Sequence, residues 1–361
     1  MMMATGPAIV KESFPHEQLG RTMGLIGVAV SLGLMSGPSL GGLLIEFLSW
    51  RSIFFITVPI GLVFSFLAYR FLPMSQPAGG GDIDWSGAIL WATALCLASI
   101  LLTHATEMGL PPLITAGLIL ITFLLIAFFI GVEKKTPHPL LPLDLFRSRY
   151  FSMGMVSAVL SFATLFAAII LTPFYLDRLR GLPPSLTGLV MMSLPSSIML
   201  MSPLAGWLAD HFEKRLISTG GLLVSTAGIF LLSSITADNS MLSITASLAI
   251  TGAGQALFLS PNSAAVLGTT TSRRTGSAAA LLATSRNLGM LLGIALATLF
   301  FSIIFARVTG GLDMKDFQPV YGPQFIKAFR GALRVAVAVG CAGITASWLR
   351  GKPPAENRTT P

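Results

Sequence analysis

Arg286 carries the most demanding chemistry in this sequence. It lies nine residues into an apolar run, 277–305. In a helix rising 1.5 Å per residue that is roughly 14 Å of depth. A guanidinium so deep in hydrocarbon is costly, so it either faces a cavity and a partner or snorkels and bonds Asn287 or backbone carbonyls. Asn262 follows Pro261 in another apolar run, where the pair reads as a helix breaker or as a substrate contact. Arg286, Asn287 and Asn262 are therefore the candidate intramembrane polar site. No Asp or Glu shares their depth, so no proton-carrying carboxylate can be named. The same inventory argues against catalysis. The sequence has no phosphate-binding Gly-x-x-x-x-Gly-Lys-Ser/Thr loop and no His-Glu-x-x-His, and its four histidines are scattered. We expect neither an enzyme, nor a bound metal, nor a cofactor.

A second signal is the stretch "GLIGVAVSLGLMSGPSLGGLL", which opens at Gly24 and spends six of its 21 residues on glycine. Gly24, Gly33, Gly37 and Gly41 are separated by eight, three and three residues, and Pro38 and Gly42 complete the pattern. In a membrane helix, glycines at such spacing let two backbones approach closely, and proline removes one hydrogen bond and bends the helix. Plain helix packing and a moving gate helix both use this device. A third signal, "GWLADHFEKR", places Gly206 and Asp210 before Lys214 and Arg215. It reads either as a charged turn or as a latch.

These residues must be positioned by membrane helices. The chain of 361 residues is 53% hydrophobic and 11% charged, with a mean hydropathy of +0.78, whereas soluble domains carry about 25% charged residues. Apolar runs long enough to span fall at about 22–45, 52–72, 85–105, 112–132, 151–176, 184–209, 216–236, 240–266, 277–305 and 328–349. That predicts an all-α polytopic bundle of ten full spans, with the N-terminal "MMMATGPAIV" as a helical stub. The +8 charge is not a nucleic-acid signal, because the basic residues sit in short clusters between spans. Fourteen of them fall on the face holding both termini and eight on the other. The positive-inside rule makes the first face cytoplasmic. Cys96 and Cys341 lie far apart within apolar runs and support no disulfide framework.

Two breaks divide the chain. "LPMSQPAGGGDID" and "EKKTPHPLLPLDLFRSR" isolate a helix pair, 85–132, between an N-terminal piece, 1–72, and a six-helix block, 150–361. The piece and the block are related. At a constant offset of 256, Gly20, Gly33 and Gly37 fall on Gly276, Gly289 and Gly293. Repeated halves are a recurrent transporter architecture with the substrate site between them. By this offset roughly 105 residues of the block have no counterpart before Met1, so the first half is expected to be short by three spans and most of a fourth.

These residues resemble the major facilitator superfamily, and within it the fourteen-helix drug:proton antiporter branch of EmrB/QacA type. "ESFPHEQLGRTMGLIGVAVSLGLMSGPSLGGLLIEFLSWRSIFFITVPIGL" is similar to the branch from the end of its fourth helix through its sixth. Gly24 to Gly42 fit its antiporter motif, and "LLPLDLF", "LTPFYLDRLRGLPPSLTGLVMMSLP" and "TSRNLGMLLGIALA" add to the likeness. "GWLADHFEKR" resembles the second copy of the superfamily's loop motif, with His211 and Glu213 departing from it. The resemblance implies a major-facilitator bundle in the cell inner membrane, with the two central helices as the branch's extra pair. It also implies proton-coupled efflux of drugs or other amphipathic solutes by alternating access, with the glycine helix sealing the two halves. The partners would be lipid, a small amphipathic substrate and protons; it names no accessory efflux protein. The competing expectation is a truncated, non-transporting membrane protein or a scaffold that pairs with another membrane chain.

Overall fold

A chain this apolar can satisfy its backbone polar groups in lipid only through helices or a closed barrel. The computed structural model describes residues 2–49, 51–71, 84–104, 112–136, 141–236, 239–271, 274–312 and 318–351, and among them it holds helices and no strand. In chain order these are α1 (Met2–Ser13), α2 (Leu19–Phe47), α3 (Ser52–Phe71), α4 (Trp85–His104), α5 (Pro112–Glu133) and α6 (Arg149–Phe174), which continues into a π turn over Tyr175–Leu179. Then come α7 (Pro184–Met191), α8 (Ser193–His211), α9 (Lys214–Leu232), α10 (Met241–Gly268), α11 (Thr275–Thr309) and α12 (Gly322–Leu349).

Local chemistry sets several boundaries. Ser148 and Ser240 precede α6 and α10, and each hydroxyl accepts from the amide three residues on, at 3.4 and 3.3 Å. Asp84 does the same for α4, its Oδ1 accepting from the Gly87 amide at 2.8 Å and the Ser86 hydroxyl at 2.6 Å. Each cap satisfies a donor that the first helical turn leaves unpaired. At the far end of α11, Gly310 adopts φ 76°, a left-handed conformation that suits glycine at a helix terminus.

Among the described residues, nine helical segments are long and apolar enough to cross a bilayer, with α7 and α8 counted as one. They coincide with nine of the ten expected spans. The tenth falls on α4, whose described apolar stretch, Trp85–Leu101, is shorter. The linker 72–83 lies outside the described residues.

Small residues hold the C-terminal block together. Gly289 and Gly293 bring α11 so close to α6 that a Cβ on either would overlap the carbonyl of Val159 or Ala163. On α9, a Cβ at Gly221 would stand 2.5 Å from the Phe258 amide nitrogen of α10. Without a hydrophobic force between helices in lipid, such close backbone packing is what associates them. One cluster of aromatics, with Tyr175 on Phe329 and Phe301 on Phe325 at 5.0 Å between ring centroids, fills one end of the block. A second, at the other end, draws Leu19 and Met23 of α2 and Phe129 of α5 onto Phe151, Met155 and Phe258. This second cluster anchors the N-terminal piece and the α4–α5 hairpin to the block. By contrast, α3 buries none of its residues.

Candidate functional site

The glycines of α2 divide between two faces. Nine residues are two and a half turns of an α-helix, so Gly24 and Gly33 point in opposite directions. Gly20, Gly24, Gly27, Ser31 and Met35 fall on the face turned to α8. A Cβ at Gly24 would stand 2.6 Å from the Ser202 carbonyl oxygen, and one at Gly27 2.7 Å from the Ser202 hydroxyl. Gly20 and Gly206 meet reciprocally, a Cβ on either approaching the other's carbonyl oxygen to 2.5 or 2.6 Å. Further along, the Ser196 hydroxyl donates to Met35 Sδ at 3.7 Å. Gly33 and Gly37 lie on the opposite, exposed face, where a Cβ would meet open space. Pro38, Gly41 and Gly42 continue the helix, and their surroundings lie outside what is described.

The loop motif lands on the start of this helix. Asp210, in the last turn of α8, accepts from the amide of Gly20 at 2.6 Å through Oδ1 and from that of Arg21 at 3.0 Å through Oδ2. Amides of a first helical turn have no internal acceptor, and the helix dipole favours negative charge there. One carboxylate thus closes both against a helix 189 or more residues away in sequence. The basic residues of the motif do something else. Arg215 stands 3.2 Å from a Glu213 carboxylate oxygen and lies over the Trp348 ring of α12 at 4.8 Å. Lys214 opens α9 and is half-buried. His211, which departs from the motif, stacks on Trp207.

A second clasp lies at the same end of the bundle. The ammonium of Lys11, on α1, donates to the hydroxyls of Thr270 at 2.8 Å and Thr275 at 3.0 Å, and also to the Thr270 carbonyl. It thereby pins α1 to the turn between α10 and α11. Sequence reasoning counted Lys11 only as loop charge. Beside it, Arg274 pairs with Asp144 of the "LLPLDLF" segment.

The three intramembrane candidates do not converge. Arg286 donates to the Ser263 hydroxyl of α10 at 2.7 Å and stands 5.8 Å from the Phe162 ring of α6, while its Nε is buried without a partner. Asn287, one residue on, is exposed and faces a cleft against α4. Asn262 turns to neither. Its amide donates to the Gly154 carbonyl at 3.3 Å, and its Oδ1 accepts from Arg350.

Arg350, at the end of an apolar run, counts in the sequence only among the basic loop charges of the cytoplasmic face. It is 1% exposed, and its guanidinium lies over the Tyr150 ring at 4.8 Å. Burial pushes it down to about 10, with Tyr150 opposing, so it stays charged at neutral pH. Among the described residues no carboxylate pairs with it, and Nε and Nη1 are unpartnered. Nothing in the spacing announces this site, since Tyr150, Gly154 and Asn262 belong to two other helices.

The sequence profile of the Major Facilitator Superfamily matches residues 1–294 and, in a second overlapping match, 154–360. The chain is similar to "Riboflavin transporter RibZ" of Clostridioides difficile, 35% identical over 308 residues that are 85% of this chain and 65% of the relative. It is similar to "Uncharacterized transporter YebQ" of Escherichia coli, 32% identical over 302 residues, 83% of this chain and 66% of the relative. It is also similar to "Multidrug resistance protein Stp" of Mycobacterium tuberculosis, 27% identical over 292 residues, 81% of this chain and 54% of the relative. The chain thus spans between half and two thirds of the length of these relatives.

Proposed function

The chain belongs to the Major Facilitator Superfamily and is a multi-pass membrane protein; from that premise we propose that it acts in proton-coupled efflux of an amphipathic organic solute by alternating access. The observation that carries this reading is the Asp210 clasp. A carboxylate on the C-terminal block holds the first turn of a glycine helix on the N-terminal piece, beside backbone contacts at Gly20, Gly24 and Gly206. Such a joint adds two hydrogen bonds and small-residue contacts to the buried side chains of Leu19 and Met23, and its parting would leave the helix pairs within the C-terminal block in place. Lys11 on Thr270 and Thr275 forms its partner.

Both clasps sit at the end of the bundle rich in Lys and Arg, which we assign to the cytoplasm, with both termini there and the cell inner membrane as location. The working units are then 1–72, the linker and extra hairpin at 73–149, and the six-helix half at 150–361. The relatives' names, a riboflavin transporter and multidrug resistance proteins, support an organic solute. Arg286 with Ser263 offers such a solute a hydrogen-bonding wall.

The test is uptake and efflux of ethidium and of riboflavin in proteoliposomes carrying an imposed pH gradient, comparing the wild type with Asp210→Asn. We expect transport that depends on the gradient and falls several-fold in the variant. Gradient-driven transport unchanged by Asp210→Asn would refute the gating role. One observation favours a second reading, a chain that works by pairing with another. Gly33 and Gly37 face open space, whereas their repeat counterparts Gly289 and Gly293 receive α6. A helix of the same small-residue kind suits that open face, and absence of transport by the chain alone would favour this reading.

A further inference from the structure

Between the hairpin helix α4 and α11 lies a cleft of about 260 Å³, lined by Cys96 and Ser99 on one wall, Thr284 and Asn287 on the other, and three leucines. It is separate from both clasps and from the Arg286–Ser263 contact, which lies around the other side of α11. Asn287 stands twelve residues into α11, about 18 Å along it at 1.5 Å per residue, well inside a hydrocarbon layer about 30 Å thick. Its carboxamide is exposed and makes no hydrogen bond among the described residues. A primary amide carries two donors and an acceptor, and leaving it unpaired in an apolar medium is costly. Lipid tails offer it nothing.

We infer that this cleft binds a neutral, ring-containing amphipathic small molecule drawn from the bilayer, held by hydrogen bonds to Asn287. Neutrality follows from the lining, which includes no charged side chain. The apolar part of the ligand lies against Leu95, Leu288 and Leu291, and the hydroxyls of Ser99 and Thr284 flank its polar group. The volume is just under the range of about 300–1,000 Å³ typical of small-molecule pockets, which suits one or two fused rings. The two walls come from the extra hairpin and the C-terminal block, so the site needs the hairpin to exist.

The probe is N-phenyl-1-naphthylamine, a neutral fused-ring amine that donates one hydrogen bond and brightens in apolar surroundings. It is titrated onto the purified 361-residue chain in lipid nanodiscs, with empty nanodiscs as the partition control. We expect one saturable site above the linear partition. Asn287→Leu should weaken it about five-fold, the scale of one lost hydrogen bond, and Ser99→Phe, which fills the cleft, should abolish it. In a Cys341→Ser background the bound probe should slow alkylation of Cys96 by N-ethylmaleimide, a readout that needs no change to the cleft. Titrations that never saturate, or that superimpose for the wild type and both variants while Cys96 alkylation is unchanged, would overturn the site. Because binding is read without transport, this outcome is independent of whether the chain moves any solute.

Discussion

Asp210 Oδ1 and the Gly20 amide nitrogen are 2.6 Å apart, a charge-assisted hydrogen bond that joins the end of α8 to the start of α2. Its second oxygen takes the next amide, that of Arg21, at 3.0 Å. The pair works only because neither Gly20 nor Gly206 has a side chain: a Cβ at Gly20 would overlap both the carboxylate and the Gly206 carbonyl. The Gly206–Asp210 part of the loop motif thus meets α2 at its first turn, next to Gly24, the first residue of the glycine motif.

The two faces of α2 should respond differently to bulk. Gly24→Leu drives a side chain into the Ser202 backbone and should cost about 1–3 kcal/mol, the usual penalty for overpacking. Gly37→Leu in the same chain enters open space and should leave thermal stability in detergent unchanged. Equal melting temperatures for the two variants would contradict the facing described here.

Arg350 and Asn262 should prove energetically coupled. Asn262→Ala and Arg350→Ala each strand the other's polar atoms in the interior. Their combined effect should fall short of the sum by about 0.5–3 kcal/mol, as for partners in one hydrogen-bonded network. Additive melting shifts in the double-mutant cycle would show that the two act separately.

Much of this was legible in the sequence, for identifiable reasons. The helices follow from long apolar runs; the repeat register only paired Gly289 and Gly293 with Gly33 and Gly37, and of these the structure packs Gly289 and Gly293 against a neighbouring backbone. Gly27 escaped notice because it falls outside the Gly24, Gly33, Gly37 and Gly41 spacing, although it shares the α8 face with Gly24. Asp210 was readable as a charged turn, but its target was not, since hydrogen bonding to a backbone amide imposes no residue type on Arg21, and the glycine needed at 20 is one of 36 in the chain. Lys11 with Thr270, 259 residues apart, and the burial of Arg350 arise from convergence of distant helices and leave no local trace.

The start of α4 should depend on pH. Hydrogen bonds from the Ser86 hydroxyl, and then from the Gly87 amide, hold the Asp84 carboxyl below its ordinary range. A carboxylate whose folded pKa is lowered stabilises the fold above its unfolded value of about 3.9 and loses that contribution as pH falls through the folded value. The melting difference between the wild type and Asp84→Ala should be larger near neutral pH than in acid, and should shrink as pH falls through the folded value. A difference that grows on acidification would reverse the sign of the argument.

Loss of the Lys11 ammonium should loosen the same end of the bundle without unfolding it. Lys11→Met keeps length and apolar stem but leaves Thr270 and Thr275 without their donor. Limited proteolysis at the turn between α10 and α11 should quicken several-fold in this variant, while Lys11→Arg, which keeps a cationic donor, should remain near the wild-type rate. Identical cleavage rates in all three would remove Lys11 from the clasp.

The central claim, that Asp210 holds α8 to α2 and thereby keeps this end closed, is tested most directly by the distance distribution between spin labels at Glu17→Cys and His211→Cys, both exposed positions. The background is Cys96→Ser and Cys341→Ser, reconstituted in lipid nanodiscs. The account predicts one short distance when Asp210 is present and a second, longer population when it is replaced by Asn. A single short distance, unchanged by Asp210→Asn, would contradict it.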